Sequence, residues 1–305
     1  MARVFVTRRI PGSELDRLRE QHEVTVWPQR EPPGYEVLCR EAAGSEGLLS
    51  MLSDRIDAGL IEQAPQLCAI ANYAVGYDNI DLAAAARAGV QVGNTPDVLT
   101  DATADLAWAL LMAAARKLPQ AIGSARSDWV TWEPEGFLGA SVKGATLGII
   151  GGGRIGSAVA RRARGFDMRV LVAGRGDPAG ELLAQSDFVS LHVPLTVETE
   201  RLIDAGALAR MKPTAILINT ARGEVIDQAA LGRALRDGGI AGAALDVTTP
   251  EPLPAEDPLW AAPNLIIAPH IGSATRVARE QMTEIAVENL LAALEGRPMP
   301  HSVHA

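Results

Sequence analysis

The chain has 305 residues, enough for about two domains of roughly 150 residues each. It is 48% hydrophobic and 21% charged but only 4% aromatic, which excludes global disorder and requires cores built from Ala, Val, Leu and Ile. With 28 Lys and Arg against 37 Asp and Glu, the net charge of −9 excludes a general affinity for nucleic acid or anionic membrane, and any anionic substrate needs a local cationic pocket.

The opening stretch, Met1 to Arg9, has no long apolar run followed by a small-residue cleavage site and reads as a first strand. Short β-branched runs then alternate with Ala- and Leu-rich helical stretches, the rhythm of βαβ units around parallel sheets. Strands are predicted at Val4–Thr7, Val24–Trp27, Gly47–Met51, Cys68–Asn72 and Val90–Val92. Cys39 and Cys68 form neither a metal pattern nor a disulfide framework, so no metal is expected and a reducing, cytoplasmic setting is. Thr100 is a plausible N-cap, with Asp101 and Asp105 near the positive end of the dipole of a helix running to Arg116, before Pro119. The longest apolar run, Leu106 to Ala115, is too short to cross a bilayer. Ser127 to Val142, with Trp129, Trp132 and Pro134, breaks the rhythm and reads either as a surface crossover or as an arm that packs on a partner subunit. A second strand set follows at Thr146–Ile150, Arg169–Ala173, Phe188–Val193, Ala215–Asn219, Gly242–Leu245 and Leu265–Ala268, and a last helix spans Ala274 to Glu295.

The first strand of the second set opens into G-x-G-x-x-G at Gly151, Gly153 and Gly156, and a helix begins at Arg154 and Ile155. Alone the pattern is weak; between a strand and a helix it is a pyrophosphate site, with the helix N-terminus supplying N–H donors. The next strand tip, where an NAD site normally carries an acid, reads Ala173-Gly174-Arg175-Gly176. Arg175 suits a 2′-phosphate, so NADPH is expected to be preferred over NADH; the alternative is a solvated Arg175, with Asp177 taking the ribose.

Three further strand ends carry polar groups: Asn219 to Asp227, Asp246 to Pro252, and Pro269 to Ser273. Ligands bind at the carboxyl ends of strands in open α/β sheets, so these should share a cleft with the Gly-rich turn. Reduction of a 2-oxo acid needs a hydride and a proton. His270 suits the proton, a carboxylate such as Glu251 would orient it and stabilise its charged form, and Arg222 would pair with the substrate carboxylate and polarise the carbonyl. Each has a structural alternative: a satisfied core histidine, a rigid turn between prolines, a loop cap. His22, His301 and His304 look peripheral; His192, beside Pro194, lines the cofactor cleft without an evident carboxylate partner.

At this point the sequence resembles the D-isomer-specific 2-hydroxyacid dehydrogenase family. The resemblance is carried by Gly76–Asp81, Asn94–Pro96, Thr103–Leu111, the Gly-rich turn, His192–Thr196 with Thr199, Ile218–Gly223, Leu245–Val247 with Glu251-Pro252, and Pro269–Ala274. Asp246–Pro254 and Pro298–Pro300 look most like the glyoxylate/hydroxypyruvate reductase branch. The resemblance implies an α/β fold of two doubly wound parallel-sheet domains. A Rossmann NAD(P)-binding domain (99–272) is inserted into a flavodoxin-like substrate domain (1–98 plus 273–305), with the active site in the cleft between them. It implies Arg222, Glu251 and His270 as the catalytic set. Leu52, Ser53 and the N–H groups of Val75 and Gly76 would lie at the substrate carboxylate, with Trp132 of a homodimer partner entering the pocket. Thr103, Gly174, Arg175, Val193, Pro194, Thr199, Thr220, Ala221, Asp246 and Gly272 would touch NADP(H) or NAD(H), with Asp246 facing the nicotinamide carboxamide.

One departure is visible: the segment from Arg175 to Asp187 is shorter than the family usually carries, so part of the adenine-side wall is expected to be missing. The runner-up activities are a dehydrogenase for another D-2-hydroxy acid and, outside catalysis, a dinucleotide-sensing co-repressor. The acidic chain shows no tail or partner-binding extension for the latter. A phosphoglycerate dehydrogenase with a regulatory domain is not expected, because the chain ends soon after its last helix.

Overall fold

A computed structural model describes residues 1–304. The chain divides into two compact units, Met1–Leu99 with the segment from Ser273 onward, and Thr100–Gly272. Leu99 therefore belongs to the first unit, one residue later than the expected boundary.

The first unit holds β1 (Arg3–Val6), α1 (Glu14–Arg19), β2 (Glu23–Val26), α2 (Tyr35–Ala43), β3 (Gly47–Ser50), α3 (Ala58–Glu62), β4 (Ala69–Asn72), α4 (Leu82–Ala88) and β5 (Gln91–Gly93). The strands form one parallel sheet in the order β2-β1-β3-β4-β5. This is the flavodoxin-like order, with its switch point between β1 and β3. β3 and β4 are buried at every position, as continuous apolar runs covered on both faces should be.

The second unit begins with α5 (Thr100–Ala115) and α6 (Leu118–Ser127), continues through β6 (Thr146–Ile150), α7 (Arg154–Ala163), β7 (Arg169–Ala173), α8 (Gly180–Gln185), β8 (Phe188–Leu191), α9 (Ala205–Arg210), β9 (Ile216–Asn219), α10 (Gln228–Arg236) and β10 (Gly242–Leu245), and ends with β11 (Leu265–Ile267). All eleven predicted strands are present, within two residues of their expected bounds. Thr100 is the first helical residue of α5 rather than its cap. Asp101 and Asp105 have a second use: both carboxylates pair with Arg162 of α7 at 3.0 and 2.7 Å. Trp108 of α5 donates to the Val159 carbonyl and stacks on Phe166, locking α5 against α7. α6 was not expected, because Pro119 reads as a stop; here it stands in the first helical turn, where a proline has no bond to lose. After α6, residues 128–145 form no regular element, as the break in rhythm implies.

The second sheet is parallel throughout, in the order β11-β10-β9-β8-β6-β7. The usual dinucleotide-binding order has one more strand outside the second. Here six residues of α8 lead from β7 straight across to β8, so β7 is the sheet edge and Val172 is half exposed. This is the structural form of the shortened segment after Arg175. The register puts Ala173, Ile150, Leu191, Asn219, Leu245 and Ile267 in one row across the sheet. Whatever follows each strand therefore leaves at the same edge.

The last helix, α11 (Arg276–Leu294), returns to the first unit. Its N-cap is Thr275, whose hydroxyl accepts from the Ala278 N–H, and it packs on β3, β4 and α1. Among the described residues no helix is long and apolar enough to cross a membrane.

Candidate active site

The Gly-rich turn comes first along that edge. Gly151 has φ +101°, and a β-carbon there would strike the His192 carbonyl oxygen, so only glycine fits. A β-carbon at Gly156 would collide with the Gly151 carbonyl, so α7 sits against the turn as closely as backbone allows. Gly153, the N-cap of α7, has open space where its β-carbon would be. Ser157 ties the turn by donating to the Gly152 carbonyl at 3.0 Å. A helix N-terminus behind a bare backbone surface fits a pyrophosphate, so these residues suit the dinucleotide that the motif implies. At the tip of β7 the Gly174 N–H donates to Asp177 Oδ2 at 2.8 Å, folding Asp177 back on the strand end and leaving Arg175 exposed.

β8 ends under this turn. His192 Nε2 lies 2.8 Å from Ser190 Oγ, and its Nδ1 is buried without a partner. Burial holds the imidazole well below its ordinary 6.5, at about 4, so it is neutral at physiological pH. A histidine with a depressed value in the folded state supports stability fully above about pH 6.5, and that support is lost as pH falls from there toward 4. Urea unfolding should therefore show up to about 3 kcal/mol of acid-induced loss attributable to this group. A His192→Gln variant should lose correspondingly less between pH 7 and pH 4.5; an identical acid loss in both proteins would rule His192 out as the source. Beyond His192, Val193 and Pro194 enter a turn closed by Thr199, whose hydroxyl donates to the Pro194 carbonyl and accepts from the Thr196 N–H.

Three loops then knit together. Asn219, fully buried at the end of β9, accepts from the Ala221 N–H at 2.9 Å and donates to the Arg222 carbonyl at 2.8 Å. It shapes the loop that presents Arg222, whose Nη1 also donates to the Ala221 carbonyl. Thr220, next to Asn219, has a buried hydroxyl without a protein partner. Gly223 packs backbone to backbone on Thr248, an approach any β-carbon would block. Gln228 clamps Thr249 with its side-chain amide, Nε2 donating to the Thr249 carbonyl at 2.9 Å and Oε1 accepting from the Thr249 N–H at 3.0 Å. The Arg222 loop and the 248–252 loop, which carries Glu251, are therefore fastened side by side.

The third loop carries His270. Its ring Nδ1 lies 2.6 Å from Glu251 Oε1, with both side chains partly exposed. His270 has φ +52°, a left-handed conformation costly for most side chains. What holds it is Asp246, at the end of β10. Its carbonyl accepts from the His270 N–H at 2.9 Å, and its two carboxylate oxygens accept from the Ile271 and Gly272 N–H groups at 2.7 Å each. Burial pushes the Asp246 carboxyl above the usual carboxylate range, while those two N–H groups pull it back. Gly272 packs against Thr103 of α5, whose Oγ1 lies 3.3 Å from where its β-carbon would stand.

One row of strand ends thus brings together the Gly-rich turn, Thr220, Arg222, Asp246, Glu251, His270 and Gly272, with Thr103 alongside. Asn219, Gly223 and Gln228 were not among the predicted site residues. Asn219 and Gly223 lie within the Ile218–Gly223 motif, but the uses of Asn219 and Gln228 appear only once the loops meet. Trp132 lies in the 128–145 segment, 78% exposed, beside Trp129 and Val130, also exposed. In the first unit, Leu52 and Ser53 follow β3, and Val75 and Gly76 follow β4.

Residues 108–272 match the model of the D-isomer specific 2-hydroxyacid dehydrogenase, NAD binding domain. Over 99% of its length the chain is 50% identical to a glyoxylate reductase of Thermococcus gammatolerans, covering 96% of that protein. Among solved structures, the TT0316 protein of Thermus thermophilus superposes with a TM-score of 0.94 at 50% identity, covering 99% of each chain. An NADPH-dependent glyoxylate/hydroxypyruvate reductase of Sinorhizobium meliloti, solved with NADP and malonate, superposes at 0.85 and 32% identity, covering 99% of this chain and 96% of that one. The chain belongs to the D-isomer-specific 2-hydroxyacid dehydrogenase family and is an NAD(P)-dependent dehydrogenase.

Proposed function

We propose that this enzyme reduces glyoxylate, and with it hydroxypyruvate, to the 2-hydroxy acid, with His270 as the proton donor. The observation that carries the reading is the 2.6 Å contact between His270 Nδ1 and Glu251, which commits one ring nitrogen and leaves Nε2 as the ring's other proton-carrying position. The dinucleotide, when bound, supplies the hydride. Glu251 fixes the ring; Nε2 gives a proton to the carbonyl oxygen as negative charge builds there. Arg222 pairs with the substrate carboxylate and polarises the carbonyl. The names of the curated relatives favour glyoxylate as substrate. Oxidation of the reduced dinucleotide in the presence of glyoxylate, hydroxypyruvate, pyruvate and phenylpyruvate tests this. Fastest turnover with the first two is expected, and a clear preference for phenylpyruvate would overturn it.

NADPH is the proposed preferred cofactor. Asp177 spends one carboxylate oxygen on the Gly174 N–H, and Arg175 stands at the strand tip with its guanidinium in solvent. Loss of one charge-assisted contact to a 2′-phosphate corresponds to roughly a 10- to 100-fold change. Arg175→Ala should reduce kcat/KM for NADPH by that factor and leave NADH within about twofold. Better use of NADH by the unaltered enzyme would refute the preference. The exposed arm at 129–138, with Trp129, Val130, Trp132 and Leu138, is proposed to be covered by a second copy in a homodimer, Trp132 reaching the partner's pocket. Two free cysteines suit a cytoplasmic setting.

A further inference from the structure

At the carboxyl end of its own sheet the first unit buries a set of polar side chains that the mechanism does not use. Thr7 follows β1, Ser50 ends β3 and Asn72 ends β4; all three are fully buried, and Asp54 is 3% exposed. Asp54 Oδ2 accepts from Thr7 Oγ1 at 2.5 Å and from the Met51 N–H at 2.7 Å. Asn79 Nδ2 donates to the Met51 and Asp54 carbonyls at 3.1 and 2.9 Å, and Asn79 Oδ1 accepts from Asn72 Nδ2 at 3.1 Å. Asn72 Nδ2 also donates to the Gly76 carbonyl at 2.8 Å, and its Oδ1 accepts from Ser50.

Nearly every bond of this network ends on one of two loops, 51–54 or 73–79. Those loops carry the N–H groups of Leu52, Ser53, Val75 and Gly76, which have no acceptor among the described residues. Four donors held open on two adjacent loops form an anion-binding concavity only if the loops keep their spacing. Burying a carboxylate and two amides in a small parallel sheet is costly unless each is satisfied, and apolar side chains would pack there at less expense. A binding constellation, by contrast, needs its backbone donors held to about 0.5 Å.

We propose that Thr7, Asp54 and Asn79 are positioning residues that set the spacing of the two donor loops and so the affinity for the 2-oxo acid. The proposal rests on the reading that Val75 and Gly76 bind the substrate carboxylate. Asn79 bridges the loops directly; Thr7 and Asp54 close the 51–54 turn against β1. Each of the three side chains is bonded within the network.

The test compares Asn79→Ala, Thr7→Val and Thr7→Ser in the full-length enzyme. KM for glyoxylate, kcat and KM for the dinucleotide are measured together with amide hydrogen exchange of the 51–54 and 73–79 peptides. Asn79→Ala and Thr7→Val should raise KM for glyoxylate about tenfold, with kcat within threefold and the dinucleotide KM unchanged. Exchange should accelerate in the two loops alone. Thr7→Ser, which keeps the hydroxyl, should behave as the unaltered enzyme. If Asn79→Ala does not fold, the isosteric Thr7→Val carries the comparison. Unchanged exchange in both loops would show that the network does not position them. Faster exchange with an unmoved KM would show that these loops do not hold the substrate, overturning the proposal through the reading beneath it.

Discussion

Replacing His270 by Gln should lower kcat for glyoxylate reduction by about a thousandfold and leave dinucleotide binding intact. The magnitude is that of a positioned general acid, roughly 10²–10⁴. The sequence offers five histidines, and among the described residues only this one has a carboxylate bonded to a ring nitrogen. Gln has similar reach and can still bond Glu251, but it has no proton to give at neutral pH. The left-handed backbone at 270 is held by the bonds of Asp246 to the 270–272 N–H groups, which a side-chain replacement leaves in place, so the loop should keep its shape. The Gly-rich turn is elsewhere on the sheet edge, so a fluorescence titration with the reduced dinucleotide should give the same Kd. A variant retaining kcat within threefold would mean that another group supplies the proton.

Much of this arrangement is legible in the sequence for a physical reason. Buried parallel strands need unbroken apolar runs, and Ile216-Leu-Ile or Leu147 to Ile150 cannot be mistaken for surface. A turn that brings helix backbone against strand backbone needs glycine at fixed intervals, so Gly151 and Gly156 announce themselves. Glu251 and His270 are 19 residues apart, yet their pairing could be inferred because the chemistry needs a carboxylate behind an imidazole and both follow strands of one sheet. What could not be read depends on tertiary proximity alone. Nothing in Leu245-Asp-Val says that both oxygens of Asp246 will hold the 270–272 loop. Nothing in Ile218-Asn219 says that a buried amide will shape the next three residues. The Thr7–Asp54–Asn79 network joins distant stretches of the chain and follows no spacing rule. The caps divided similarly: Thr275, which caps α11, went unread, while Thr100 was read as a cap and lies inside its helix.

The missing outer strand was visible only as a short segment, and its consequence is structural. With β7 at the sheet edge, no neighbouring strand walls the adenosine side, and the backbone from Gly174 to Asp177 is what remains at the tip. On the proposed reading, cofactor discrimination would fall to this four-residue turn, which carries one arginine and one aspartate of opposite sign. That concentration is why a single change at Arg175 is expected to alter the preference between dinucleotides rather than affinity for both.

Arg222→Lys should reduce kcat/KM for glyoxylate by about a hundredfold, although the charge is kept. The reason is geometric. A guanidinium pairs with a carboxylate through two parallel N–H groups in a fixed plane and can extend one toward the carbonyl oxygen; an ammonium is a point charge that satisfies one of these at a time. In this protein the plane is set by its surroundings: Nη1 is held on the Ala221 carbonyl, and the loop beneath is held by Asn219 and by the contact of Gly223 with Thr248. A lysine inherits none of that orientation. Contacts that only align the carboxylate should appear in KM, and contacts that strengthen as charge develops on the carbonyl oxygen should appear in kcat; Arg222 is assigned both, so both should worsen. The pH dependence of the reaction should keep its shape, because the His270–Glu251 pair is untouched. Steady-state kinetics against glyoxylate from pH 5 to 9 would check all three statements. A lysine variant within threefold of the unaltered enzyme would remove Arg222 from the substrate contacts.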